Sequence, residues 1–124
     1  MSFDENKIPN EDSLFLRVHK SNIVGNKIIP GAYTIKGDGG LSTDWSHYST
    51  AQQSLARSKN PNDNGIVKFN VREVRALELK VVHRPLEDNV AHSEIIGIPV
   101  NNPNKTKTRL LLDQIAQWEI PYPR

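Results

Sequence analysis

Short runs in which apolar and polar side chains alternate recur along the chain, and this period-two pattern predicts a domain rich in strands. Ser13–Lys20 is the clearest run: Leu14, Leu16 and Val18 share one face, and Phe15, Arg17 and His19 share the other. Ile66–Val71 repeats the pattern with Val67, Phe69 and Val71 aligned, and Leu79–Arg84 aligns Leu79, Val81 and His83. Ala91–Ile98 is an apolar strand. The turn residues of Pro85–Asn89 join it to the preceding run as a hairpin. Shorter signals lie nearer the start. Asn22–Asn26 reads as a turn, Lys27–Pro30 as a short β-branched strand, and Ala32–Lys36 as extended chain. Gly37-Asp38-Gly39-Gly40 can supply positive φ, which predicts a hairpin between Tyr33–Lys36 and Leu41–Thr43.

Helical signals interrupt the strands. Ser49 and Thr50 each stand three residues before a glutamine (Gln52 and Gln53), the spacing of a capping box, ahead of the helix formers of Ala51–Ser58. The turn residues from Asn60 to Gly65 stop that helix. Asn70 and Glu73 suit a single helical turn over Val71–Ala76. Leu111, Ile115 and Trp118 fall at i, i+4 and i+7, which predicts a C-terminal helix over Lys107–Trp118 with Thr106 as its cap. Runs of strands without a βαβ rhythm indicate an α+β fold, a mixed or antiparallel sheet of short strands with one central short helix and one C-terminal helix. The alternative architecture is a small β-barrel with a C-terminal helix. Residues 1–12 are polar and aperiodic and are expected to form a flexible tail. Residues 13–120 then make one domain, and 121–124, with Pro121 and Pro123, an extended tail.

Composition narrows the function classes. The 124 residues suffice for one sizeable core, and 36% hydrophobic with 24% charged residues lies outside the disordered range. No apolar run approaches the roughly 18 residues of a membrane helix, and the first ten residues lack the basic and apolar regions of a secretory signal. With no cysteine, disulfides, thiol nucleophiles and Cys-ligated zinc are excluded. The expected location is the cytoplasm. A net charge of +2 and 6% aromatic residues give no electrostatic or stacking platform for nucleic acid. The basic clusters Lys105, Lys107, Arg109 and Arg72, Arg75, Lys80, Arg84 read as solvated faces.

The candidate chemistry lies at strand ends. Arg17 and His19 project from one strand face about 7 Å apart, suited to a pocket wall where the guanidinium holds an anion and the imidazole moves a proton. In Leu41-Ser42-Thr43-Asp44-Trp45, the hydroxyls of Ser42 and Thr43 with Asp44 can orient a polar ligand and Trp45 can stack on its ring. The alternative is that Thr43 or Asp44 caps a turn and Trp45 plugs the core. Pro85-Leu86-Glu87-Asp88-Asn89 leads through Ala91 to His92 and Ser93, and a loop held by rigid strands is where sites usually lie. His92 is the second candidate proton carrier. His83, His92 and Asp88 or Glu94 could be drawn together by the hairpin, but their spacing is that of no tight metal motif. No metal or cofactor is expected. No nucleophile elbow, phosphate-binding loop or dinucleotide fingerprint is present.

The series Arg17-Val18-His19, Leu41-Ser42-Thr43-Asp44-Trp45 and Pro85-Leu86-Glu87-Asp88-Asn89 leading to Ala91-His92-Ser93 resembles a set of small bacterial proteins to which no activity is assigned. A fainter likeness is to ADP-ribosyltransferase-type folds, which would put Arg17 or His19, Ser42-Thr43 and Glu94 on successive strands around a site. Two classes of function follow. In the first, Arg17, Ser42, Thr43, Asp44 and Trp45 bind an anionic small molecule such as a nucleotide or phosphorylated metabolite, and His19 and His92 handle protons. In the second, the chain is a non-enzymatic interaction module with a protein partner or a second copy of itself, a subunit of a defence, toxin–antitoxin or phage-related assembly. The first requires the three motifs to converge on one hollow.

Overall fold

A computed structural model describes residues 8–35 and 40–123. Among them, eight strands and three helices follow one another as β1 (Ser13–His19), β2 (Ile23–Val24), β3 (Lys27–Ile28), β4 (Leu41–Trp45), α1 (Ala51–Ala56), β5 (Asn64–Asn70), α2 (Val71–Ala76), β6 (Lys80–His83), β7 (His92–Ile96), α3 (Asn104–Ile115) and β8 (Gln117–Ile120). Six strands form one sheet in the order β6-β7-β4-β1-β5-β8, with every neighbouring pair antiparallel. This is an α+β fold, and the sheet is open rather than a closed barrel. β2 and β3 form a separate ribbon about Gly25, whose φ of +64° suits its turn.

The alternation in β1 decides the two faces of the sheet. Leu14, Leu16 and Val18 join Leu41, Trp45, Val67, Phe69, Val81 and Ile95 in the main core. α2 and α3 cover that side, with Leu112 of α3 fully buried. Phe15 points the other way and meets Ile66, Ile120 and Leu55 in a second cluster under α1. α1 packs mainly on β1, β5 and β8. On the β4, β7 and β6 half of that face Ser42, Asp44, His92 and Glu94 stand beside Val82 and Ile96, so the face divides into an apolar half under a helix and a more polar half.

α1 is short and depends on its cap. Thr50 Oγ1 accepts from Gln53 N at 3.1 Å and Gln53 Oε1 accepts from Thr50 N at 2.9 Å, the reciprocal capping box read from the sequence. A cap of this kind contributes about 1 kcal/mol. Ser49, the rival cap, is instead buried beneath the helix.

Other expectations are corrected. Trp118 is not in the last helix: Ala116 is already extended, α3 spans Asn104–Ile115, and Trp118 pairs with Val67 in β8. Thr106 does not cap α3. It lies in the first turn and donates through N and Oγ1 to Asn102 Oδ1. Tyr33 belongs to a 3-10 turn over Pro30–Tyr33, not to a strand paired with Leu41–Thr43. β4 pairs with β7 and β1 instead, and Lys36–Gly39 lie outside the described residues. Nor is the start of the chain loose throughout. Residues 1–7 lie outside the described part, but Ile8 is fully buried and the Asp12 carboxylate accepts from Trp45 Nε1 at 2.8 Å.

Candidate functional site

The two central strands part company early. β1 and β4 pair only at Leu14–Trp45 and Phe15–Asp44. Beyond that point β1 runs on with β5 to His19, and β4 runs on with β7 to Leu41. The result is a fork in the middle of the sheet. Ser46 N donates to Ser13 O, so by strand alternation the peptide groups of Phe15, Arg17 and His19 also turn toward β4. Trp45 N donates to Ala91 O, which leaves Ser42 turned toward β1. Peptide groups of Arg17, His19 and Ser42 thus edge the fork, and among the described residues no ladder spans it.

A cleft of about 410 Å³ occupies the fork. Its polar lining includes Arg17, His19, Asn22, Thr34, Ser42 and Asn64, and Gly31 and Gly40 bring bare backbone to its wall. The volume lies within the range of small-molecule sites. Among the described residues, no Phe, Tyr or Trp lines it.

At the apex of the fork stands Asp44, 1% exposed. Its Oδ2 accepts from Ser54 Oγ at 2.6 Å, Arg57 Nη1 at 3.0 Å and Arg17 Nη1 at 3.1 Å. Its Oδ1 accepts from Asn89 Nδ2 at 2.8 Å. These four donors match the roughly four lone-pair sites of a carboxylate. Burial by itself would push this carboxyl up, but the hydrogen bonds from Ser54 and Asn89 and the charges of Arg17 and Arg57 outweigh it and hold the group below its ordinary value. Asp44 is therefore ionised and saturated, and it acts on a ligand only through the arginines it holds.

Arg17 is held from two sides, by Asp44 and by the carbonyl of Ser54, which also accepts from Nη1 at 3.2 Å. Both bonds use Nη1, so neither occupies Nη2 or Nε. Arg57 Nη1 is likewise shared between Asp44 and Ser49 Oγ. Two guanidiniums against one carboxylate leave one net positive charge at the mouth of the fork, and the Arg17 side chain is 33% exposed.

Comparison with protein-family models, with curated proteins and with solved structures finds no match for this chain.

Arg17, Ser42 and Asp44 come together at the fork, and His19 lines the same cleft. Thr43 and Trp45 do not face it. They alternate to the core side, where Thr43 Oγ1 donates to Ser93 O and Trp45, 4% exposed, packs against His47, Tyr48 and His83. Trp45 therefore has no free ring face for a ligand in the fork. His92 shares the face of Arg17 but not the position of His19. Phe15, Asp44 and His92 are in register, so His19 lies roughly 16 Å from His92 by strand rise and spacing. The two imidazoles cannot serve one proton transfer directly. His19 Nδ1 accepts from Ser21 N at 3.1 Å, so its neutral ring carries the proton on Nε2 and offers a donor. His83 and His92 point to opposite faces, His83 into the core with Nε2 on Val90 O. Glu94 is engaged by Arg84 Nη1 at 2.6 Å and by Gly40 N at 3.2 Å.

Asn89, Ser54 and Arg57 were not among the sequence candidates. Asn89 was visible only as a turn residue; its turn, closed by the reciprocal Leu86 and Asn89 backbone bonds, delivers the amide to Asp44. The apolar face of α1 amounts to Ala51 and Leu55, so the adjacent Ser54 is buried as well and needs a polar partner. A serine beside the apolar stripe of a short helix is the one sequence signal that could have marked it.

Proposed function

We propose that the protein binds a compact anionic molecule, a phosphorylated metabolite or the phosphate end of a nucleotide, in the fork between β1 and β4. The observation that carries this reading is Arg17. A buried, saturated carboxylate and a carbonyl fix one of its nitrogens, and Arg17 lines a cleft whose walls carry hydroxyls, amides and an imidazole donor. A guanidinium fixed in this way loses little conformational entropy when it takes up a phosphate or carboxylate in a two-pronged contact. The lack of an aromatic wall favours a small, highly charged ligand over one recognised by its ring. The three motifs that resemble small bacterial proteins support the reading together, because they supply Arg17, Asp44 and Asn89 to one network. Such ligands are met in the cytoplasm, which agrees with the location expected from the sequence.

Titration calorimetry with inorganic pyrophosphate, a nucleoside monophosphate and the uncharged nucleoside tests the proposal. Saturable binding of the anions, weakened by added salt, is expected, with none of the nucleoside. Arg17→Gln removes charge-assisted hydrogen bonds worth about 1.5–3 kcal/mol each and should weaken binding at least about tenfold. Unchanged affinity in that variant would sink the reading.

A further inference from the structure

The polar half of the sheet carries a serine and a histidine arranged as a nucleophile and its base. His92 Nδ1 lies 2.8 Å from Arg84 O. A carbonyl only accepts, so the neutral ring keeps its proton on Nδ1 and the lone pair falls on Nε2. That Nε2 lies 3.3 Å from Ser42 Oγ. Ser42 is exposed and borders the fork cleft, with His92 behind it and Arg17 on the same cleft. Nucleophile, base and an acceptor that orients the base thus follow one another, with the reacting oxygen facing open space.

From this geometry we infer that Ser42 is an activated nucleophile, with His92 its general base, and that the protein hydrolyses small esters. In the first step Ser42 Oγ bonds to the ester carbonyl carbon while its proton passes to His92 Nε2. The alcohol's C–O bond then breaks, and the departing oxygen takes that proton. In the second step a water oxygen bonds to the acyl carbon and gives its proton to His92 Nε2. The bond to Ser42 Oγ breaks, and the serine recovers the proton. The sum is ester plus water to acid plus alcohol. The charge that develops on the carbonyl oxygen faces a cleft bordered by the Arg17 cation and by the unladdered peptide groups of the fork. The preferred substrate has a negatively charged acyl part. That preference rests on the anion-binding reading of Arg17; the reactivity of Ser42 does not.

Ser21 is the internal comparison. It too is exposed and its Oγ lies 2.9 Å from His19 Nδ1, but that nitrogen already accepts from Ser21 N, and among the described residues no carbonyl is bonded to the other side of the ring. Incubation of the full chain with a neutral fluorophosphonate, followed by intact-mass and peptide mapping, should give one adduct, on Ser42. Ser42→Ala should abolish it. His92→Gln, shown to be folded by circular dichroism, should slow it at least about 100-fold, within the usual contribution of general-base catalysis. No adduct on Ser42, labelling of Ser21 at the same rate, or an unchanged rate in folded His92→Gln would overturn the inference. Should His92→Gln fail to fold, the wild-type contrast between Ser42 and Ser21 still decides. Hydrolysis of p-nitrophenyl succinate over p-nitrophenyl acetate, with that preference lost in Arg17→Gln, tests the charge preference separately.

Discussion

Replacing Asp44 by alanine should lower the unfolding free energy by about 3 kcal/mol, the low end of the 3–5 kcal/mol typical when one partner of a buried ion pair is removed. Four donors lose their acceptor at once: Ser54 Oγ, Asn89 Nδ2 and one nitrogen each of Arg17 and Arg57. The loss stays at the low end because the two arginine side chains, 33% and 28% exposed, can turn toward water. Ser54 cannot, being fully buried. Urea unfolding measures the change. The same carboxylate gives the protein an acid dependence of known sign. The native group binds its proton less readily than the unfolded chain, where the ordinary value is 3.8. Below that pH the unfolded state takes up the proton first, so stability is at its full value above pH 3.8 and declines as pH falls toward the native pKa. Asp44→Asn should remove this part of the acid slope. An unaltered slope would show that the network does not hold the carboxyl down.

The second large effect is expected at Gly40, on the other wall of the fork. A Cβ there would run into the carbonyl oxygen of Ile95 and stand 2.9 Å from its carbon. Both are backbone atoms of β7, which pairs with β4 and cannot rotate away as a side chain would. Overpacking costs about 1–3 kcal/mol when side chains yield, and Gly40→Ala should lie at or above the upper end. The strain falls where Gly40 N donates to Glu94, so the wall of the cleft moves with it. A melting temperature lowered by several degrees together with weakened anion binding is expected from calorimetry. Wild-type stability in this variant would mean that β4 and β7 do not approach so closely.

How far the sequence disclosed this molecule follows the range of the interactions. Local patterns were legible. The alternation of β1 fixed both faces of the sheet, Thr50 and Gln53 announced the start of α1, and the Pro85–Asn89 turn marked the β6–β7 hairpin. Features decided by distant partners were not. Gln117 and Trp118 extend the spacing of α3 well enough to read as helix, and only pairing with β5, some fifty residues away, makes them part of a strand. The fork is a missing pairing, and no residue type encodes that. The site was half legible for the same reason. Arg17, Ser42, Asp44 and His92 stood out by chemistry and strand position. Ser54 and Arg57 belong to the site because α1 lies over Asp44, and Trp45 leaves it because strand parity turns its ring into the core.

The claim on which the rest depends is that a guanidinium tethered by a buried carboxylate receives an anion in the fork. The most direct measurement follows the Arg17 Nε–H resonance by nitrogen-15 NMR, assigned by its loss in Arg17→Gln, as pyrophosphate is added. The expected result is a saturable shift of that resonance with the same dissociation constant as calorimetry gives. A resonance that does not move while pyrophosphate binds, or that drifts in proportion to ionic strength without saturating, would contradict it.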